Sequence, residues 1–176
     1  MSGLFNDISR RDFMKYCATT AAVLGLSEME FVSKVSEALA SSSSKPPVVW
    51  LEGQDCAGCT ISLAGALYPP VSSIILDKLS IRYHESIMAS AGYLAEATLE
   101  ETIKAGGHVL CVEGSIPSTD DRFCMVGGRP FREILEESAE KASVIIAVGA
   151  CATYGGIPAA GPTQGVGVGK IIKDKP

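Results

Sequence analysis

Short apolar runs alternate with helical patterns along most of this chain. Runs at Val48–Leu51, His108–Val112 and Ser143–Val148 are bounded by glycine, proline or polar residues, and Ile74–Tyr83 is a longer segment of mixed apolar and charged residues. Continuous apolar runs of this length are typical of strands that are buried on both faces, as in parallel sheets. The three apolar runs therefore predict buried strands, and Ile74–Tyr83 suggests a further strand, the second along the chain.

Helical patterns fill the intervals between these runs. Gly92–Lys104 is followed by a glycine pair, and Thr60–Leu67 ends before two prolines, both of which are common ends of helices. Arg122–Phe131, with two glycines near its middle, is predicted to be a hairpin. Pro130 suits the first turn of a helix whose apolar face would carry Phe131, Ile134, Leu135 and Ala139.

The alternation of strands and helices predicts an α/β fold, a flavodoxin-like doubly wound parallel sheet. Right-handed crossovers favour the strand order 2-1-3-4, which makes the first, third and fourth strands neighbours. The Cys56–Cys59 pair, Glu113 and Cys151 follow those three strands. Because open α/β sheets bind ligands beyond the carboxyl ends of their strands, these residues are expected to converge there.

Three cysteines in glycine-rich loops suit several kinds of site. An iron–sulfur cube needs four ligands, and Cys56, Cys59 and Cys151 would supply three. The Cys-x-x-Cys pair alone also fits a redox disulfide, which leaves Cys151 without a role. Zinc would want two close pairs or histidines, whereas His84 and His108 lie in or at predicted strands, where structural roles are expected. The residues favour a cluster over a redox disulfide, and a disulfide over zinc.

The composition argues against nucleic-acid binding. The chain has 15 basic and 20 acidic residues, a net charge of −5 and only 6% aromatic residues. It therefore has neither a basic stripe to follow phosphates nor a platform for stacked bases.

The N-terminal segment has the pattern of an export signal. Ser9–Lys15 contains paired arginines, the apolar run Ala18–Leu26 follows, and Ala38–Ala40 forms an A-x-A cleavage pattern. This resembles a twin-arginine signal, and the apolar run is too short to span a bilayer. We expect a signal peptide over residues 1–40, a serine- and proline-rich linker over 41–47 and the flavodoxin-like domain over 48–176.

Five blocks of this sequence resemble the small subunit of periplasmic nickel–iron (or nickel–iron–selenium) hydrogenases, in the same order and at similar spacing. They are Ser9–Lys15, Trp50–Thr60, Tyr83–Gly92, Val112–Pro117 and Gly149–Gly156.

The resemblance implies an electron-transfer subunit of an oxidoreductase acting on H2. Cys56, Cys59 and Cys151 would hold its proximal [4Fe–4S] cluster. Glu113, at the end of the third strand, would either lie beside the cluster and face the partner or only cap the loop. The fourth ligand and a C-terminal cluster region would lie past residue 176, which implies an N-terminal portion of the subunit. Cys111 and Cys124 are expected to be structural.

The resemblance also implies partners and a location. The nickel–iron site would belong to a large subunit, a cytochrome or similar protein would accept electrons, and the complex would be periplasmic, exported by the twin-arginine route. Two alternative functions remain open, namely a complex I-type iron–sulfur subunit and an exported thiol–disulfide protein.

Overall fold

A computed structural model describes residues 45–173 of the chain. The helices are α1 (Gly58–Ala64), α2 (Val71–Ser73), α3 (Tyr93–Ala105), α4 (Phe131–Glu140), α5 (Gly149–Tyr154) and α6 (Val168–Ile171). The strands are β1 (Pro47–Glu52), β2 (Ser80–His84), β3 (Val109–Glu113), β4 (Met125–Val126), β5 (Arg129–Pro130) and β6 (Val144–Val148). The predicted signal peptide and most of the predicted linker lie outside the described residues.

The main sheet has the order β2-β1-β3-β6, and all of its strand pairs are parallel. This confirms the predicted parallel α/β sheet and its strand order. The predicted hairpin is also present, because β4 and β5 pair antiparallel across the two glycines. No helix among residues 45–173 is long and apolar enough to cross a bilayer.

Two hydrophobic clusters lie on opposite faces of the sheet. Alternate residues of β1 and β3, such as Val49 and Leu110, pack with the buried faces of α3 and α4 in the larger cluster. The intervening residues, such as Trp50 and Cys111, pack with Leu63 of α1 in the smaller one. Helices therefore cover both faces of the sheet, as a doubly wound fold requires.

The second predicted strand begins later than the sequence pattern indicated. Ile74–Lys78 forms a π-helical turn, and the strand starts only at Ser80. The Ser73 hydroxyl donates to the Asp77 carboxylate (2.9 Å), four residues away, which is a helical contact. A short apolar run does not distinguish a strand from a helical turn by periodicity alone.

The fourth predicted strand is present but is not buried on both faces. Val144 and Ile146 are 37% and 46% exposed, and β6 is the edge strand of the sheet. Ile145, between them, packs against the larger cluster. The prediction was wrong for the face of β6 that carries Val144 and Ile146. An apolar run in the sequence does not show whether another element covers both faces of the strand.

Candidate functional site

The carboxyl ends of three neighbouring strands are in register. Glu52 at the end of β1 pairs with Glu113 at the end of β3, and Glu113 pairs with Val148 at the end of β6. The Cys-x-x-Cys loop follows Glu52, and α5, which carries Cys151, follows Val148 directly. The sheet therefore brings the two cysteine segments to one edge, as the sequence predicts.

The Cys-x-x-Cys segment is a tight turn that leads into a helix. The Asp55 carboxylate accepts a hydrogen bond from the Ala57 backbone N–H (3.3 Å), and Ala57 adopts a left-handed conformation with φ 56°. Helix α1 begins at Gly58, two residues before the predicted start at Thr60. Cys59 therefore lies in its first turn. Ala57 offers no side chain to cap that turn.

Glu113 supplies the cap from another strand. Its carboxylate accepts hydrogen bonds from the backbone N–H groups of Cys59 (3.0 Å) and Thr60 (3.1 Å) and from the Thr60 hydroxyl (2.6 Å). The indole N–H of Trp50 donates to it as well (3.2 Å). Glu113 is only 1% exposed. The residue lies beside the cysteine loop, and its carboxylate is buried within this chain.

Each of the three cysteine sulfurs lies close to a glycine. A Cβ atom on Gly149 would lie under 3.0 Å from Cys59 Sγ, closer than real Cβ atoms approach. A Cβ on Gly156 would lie 2.5 Å from Cys151 Sγ, and one on Gly58 would lie 3.0 Å from Cys56 Sγ.

Cys59 Sγ is also 3.9 Å from the Val148 carbonyl oxygen. This contact and the glycine at position 149 bring the thiol of the first loop against the start of the Cys151 segment. The space around the sulfurs is thus kept free of side-chain carbon, which suits a bulky inorganic group.

The charges around the thiols are negative. Burial raises the pKa of the Cys59 thiol, and the Glu113 carboxylate and the thiols of Cys56 and Cys151 add to this effect. Burial also raises the pKa of Asp55. Because ligation requires thiolates, this environment favours a site whose bound cations compensate the negative charge.

The spacing of the cysteine sulfurs bears on whether they could share a single zinc ion. Within residues 45–173, one set of three ligand atoms within 4.8 Å of one another is found, and it consists of carboxylates rather than sulfurs. All three sulfurs of a zinc site would lie roughly 4 Å apart, given zinc–sulfur bonds of about 2.3 Å. In an iron–sulfur cluster each cysteine binds a different iron, so the sulfurs lie farther apart than at a single zinc ion.

The other candidate ligands of the described region have structural positions. Cys111 is buried in β3, and burial raises its pKa to about 11; burial likewise raises the pKa of Cys124 to about 11. The ring of His84 stacks on Trp50 with centroids 5.1 Å apart. His108 is fully buried, and its Nε2 lies 3.0 Å from the Ser138 carbonyl oxygen.

Sequence reasoning missed several residues that shape this edge. Thr60 and Trp50 bind the Glu113 carboxylate, and the Thr60 hydroxyl also lies 3.0 Å from the Glu52 carboxylate. Gly149 lies against Cys59 although 90 positions separate them in the sequence. A glycine directly after a predicted strand was the one available signal for Gly149.

Comparisons with known proteins agree with this arrangement. The family model described as "NADH ubiquinone oxidoreductase, 20 Kd subunit" matches residues 56–176. The uptake hydrogenase small subunit of Azotobacter vinelandii is 42% identical over 174 residues, covering 96% of this chain and 48% of the relative. The periplasmic [NiFe] hydrogenase small subunit of Solidesulfovibrio fructosivorans is 42% identical over 171 residues, covering 95% and 54%.

The fold of this chain is similar to parts of solved hydrogenase structures. The NiFeSe hydrogenase of Desulfomicrobium baculatum superposes with a TM-score of 0.70 at 36% identity, covering 73% of this chain and 51% of that one. The [NiFeSe] hydrogenase of Desulfovibrio vulgaris Hildenborough gives 0.69 at 32% identity, covering 74% and 50%. The chain spans about half the length of the relatives that it matches. It belongs to the family of the 20 Kd subunit of NADH ubiquinone oxidoreductase, and the curated relatives named above are hydrogenase small subunits.

Proposed function

We propose that this chain is the electron-transfer part of a nickel–iron hydrogenase small subunit and that Cys56, Cys59 and Cys151 hold its proximal [4Fe–4S] cluster. The observation that carries the proposal is the meeting of the two cysteine segments, with Cys59 Sγ against Gly149 at the start of the Cys151 helix. The hydrogenase small-subunit names of relatives about 40% identical to this chain support the reaction class.

A bound cluster supplies one-electron transfer between a hydrogen-cleaving centre and later acceptors. The chain's own residues bind and shield it. The three thiolates would ligate iron, the glycines beside them leave room, and the partial burial of Cys59 would limit water at that ligand. Hydrogen bonding and burial around the sulfurs are the means by which a protein sets a cluster potential.

The proposed partner is a hydrogenase large subunit. Large apolar side chains next in sequence to the cysteine segments are strongly exposed, namely Ile61 (66%), Tyr154 (82%) and Ile157 (89%). In this proposal the large subunit would cover these side chains. We further propose export by the twin-arginine route and a periplasmic location, on the pattern of residues 9–40. A cytochrome or similar acceptor is proposed on the family resemblance.

Iron and sulfide analysis tests the cluster. The subunit is purified anaerobically from its own cells, and iron, acid-labile sulfide and visible absorption are measured per mole of protein. We expect Cys56→Ala, Cys59→Ala and Cys151→Ala each to lose most of the bound iron, whereas the control Cys124→Ala retains it. Iron-free protein that forms a reversible Cys56–Cys59 disulfide would overturn the proposal and support the thiol–disulfide alternative.

A complex I-type subunit is the second candidate, because the matching family model carries that subunit's name. A tag on this chain, used for purification from its own cells, separates the two. The hydrogenase proposal predicts a copurifying subunit that contains nickel, together with H2-dependent reduction of a dye. A nickel-free respiratory assembly that oxidises NADH would support the second candidate.

A further inference from the structure

We propose that Glu113 is a positioning residue that caps the Cys-x-x-Cys helix from a neighbouring strand and thereby aims Cys59 Sγ at the Cys151 segment. The helix begins at Gly58 without a side-chain cap of its own. Backbone N–H groups in the first turn of a helix have no partner within the helix. Glu113 provides that partner for Cys59 and Thr60.

The local sequence has no substitute for Glu113. Ala57, at the N-cap position, has a methyl side chain and a left-handed backbone. The nearest carboxylate in the loop, that of Asp55, accepts from the N–H of Ala57. The first turn of α1 therefore depends on a carboxylate that is 54 residues away in the sequence.

The carboxylate is itself fixed in place. The Thr60 hydroxyl (2.6 Å) and the Trp50 indole N–H (3.2 Å) both donate to Oε2, and the Cys59 N–H donates to Oε1. Both oxygens therefore accept hydrogen bonds. A glutamine at position 113 would turn an amide NH2 group towards one set of these donors, so the amide does not replace the carboxylate.

The consequence for the site follows from the contacts of Cys59. Its N–H is held by Glu113, and its Sγ lies 3.9 Å from the carbonyl oxygen of Val148 and against Gly149. Glu113 and Val148 are paired neighbours on β3 and β6. The carboxyl end of this strand pair therefore holds both the backbone N–H and the thiol of Cys59. Releasing the N–H removes one of these two constraints, so the thiol should be held less firmly relative to Cys151.

Hydrogen exchange of individual amides tests the proposal without any cluster. In Glu113→Gln we expect exchange at the amides of Cys59 and Thr60 to rise about tenfold or more, the effect of losing a hydrogen bond to a charged group. The matched control is Glu101→Gln, the same change on the exposed surface of α3. Unchanged exchange within α3 shows that the variant is folded.

A milder variant keeps the test decisive if Glu113→Gln does not fold. Thr60→Val removes only the hydroxyl that anchors the carboxylate, and we expect a smaller rise in exchange at Cys59. Amides of Cys59 and Thr60 that stay as protected as in Glu101→Gln would overturn the proposal.

A second readout rests on the proposed function. In cluster-loaded protein, Glu113→Gln removes a negative charge near Cys59, so we expect a more positive midpoint potential than in Glu101→Gln. If the unsubstituted subunit purified from its own cells holds no iron, the proposed function fails while the exchange result still decides the role of Glu113. If iron binds but neither exchange nor potential responds to Glu113→Gln, only the role of Glu113 is overturned.

Discussion

The Sγ atom of Cys59 lies against the α-carbon of Gly149, in a space that a Cβ atom on residue 149 would fill. Gly149 begins α5, and Cys151 lies two residues further along the same helix. A single contact thus joins the Cys-x-x-Cys segment after β1 to the cysteine segment after β6. Gly149 also has φ +80°, a conformation that side chains rarely adopt.

Gly149→Ala should reduce iron binding by more than its effect on the backbone explains. The new methyl group displaces Cys59 Sγ, and the left-handed conformation costs about 1–2 kcal/mol for any L-residue. Gly128→Ala is the matched control, because Gly128 has φ +81° with no atom within 4 Å of the added Cβ.

Both glycine variants should lose a similar amount of stability through the backbone, whereas only Gly149→Ala should lose most of its iron. Iron per mole of the subunit purified anaerobically from its own cells and the free energy of unfolding in urea measure the two effects. Equal iron content in the two variants would show that Gly149 does not shape the site.

The fold was largely predictable because its information is local. Short apolar runs marked β1 and β3, and the parallel strand order followed from chain connectivity. That order alone predicts that the Cys-x-x-Cys segment and the Cys151 segment lie at the same edge of the sheet. Glu113 was expected there from its position after the third run, at the end of a strand.

The details of the site depend on contacts that the local pattern does not contain. The cap on α1 joins Cys59 to Glu113 over 54 positions, and the predicted helix start at Thr60 missed the first turn that this cap stabilises. The exposure of Ile146 likewise depends on whether another element covers β6. Both are properties of packing between distant segments.

The pH dependence of stability should carry a contribution from His108. Burial lowers its pKa below the ordinary value of 6.5. Its Nε2 lies 3.0 Å from the Ser138 carbonyl oxygen, an acceptor, while Nδ1 has no hydrogen-bond partner. As pH falls below about 6.5, the unfolded chain takes up a proton that the folded chain does not, so the free energy of unfolding decreases.

His108→Gln isolates this contribution, because its amide NH2 can donate to Ser138 and does not titrate. Urea titrations followed by fluorescence of the single tryptophan, Trp50, measure stability at each pH. The unsubstituted protein should lose more stability than His108→Gln between about pH 7 and about pH 5. Parallel curves would show that His108 titrates normally in the folded protein.

Adjacent isoleucines on β6 should respond differently to a charge. Ile145 packs against the larger core cluster, whereas Ile146 is 46% exposed. We expect Ile145→Lys to cost about 2 kcal/mol or more, because it places an ammonium group in the core, and Ile146→Lys to change stability by less than about 0.5 kcal/mol. Denaturant midpoints of the two variants measure the difference. Equal losses would mean that the outer face of β6 is covered.

Gly167 and Gly169 provide a test of how the segment after α5 packs. A Cβ on Gly167 would meet the backbone carbonyl of Thr153 and lie 2.9 Å from the Ala152 carbonyl oxygen, whereas one on Gly169 would meet no atom within 4 Å. Gly167 has φ −76°, so alanine there suffers from contact rather than from backbone strain.

Gly167→Ala should therefore destabilise the protein by about 1–3 kcal/mol, the usual cost of overpacking. Gly169→Ala, within α6, should be neutral or stabilise by up to about 1 kcal/mol, because alanine favours helix more than glycine does. Thermal and urea unfolding of the two variants check the prediction. Since Thr153 and Ala152 belong to the helix that carries Cys151, iron binding should fall with stability in Gly167→Ala alone. A Gly167→Ala protein as stable as Gly169→Ala would show that the backbone of residue 167 does not pack against α5.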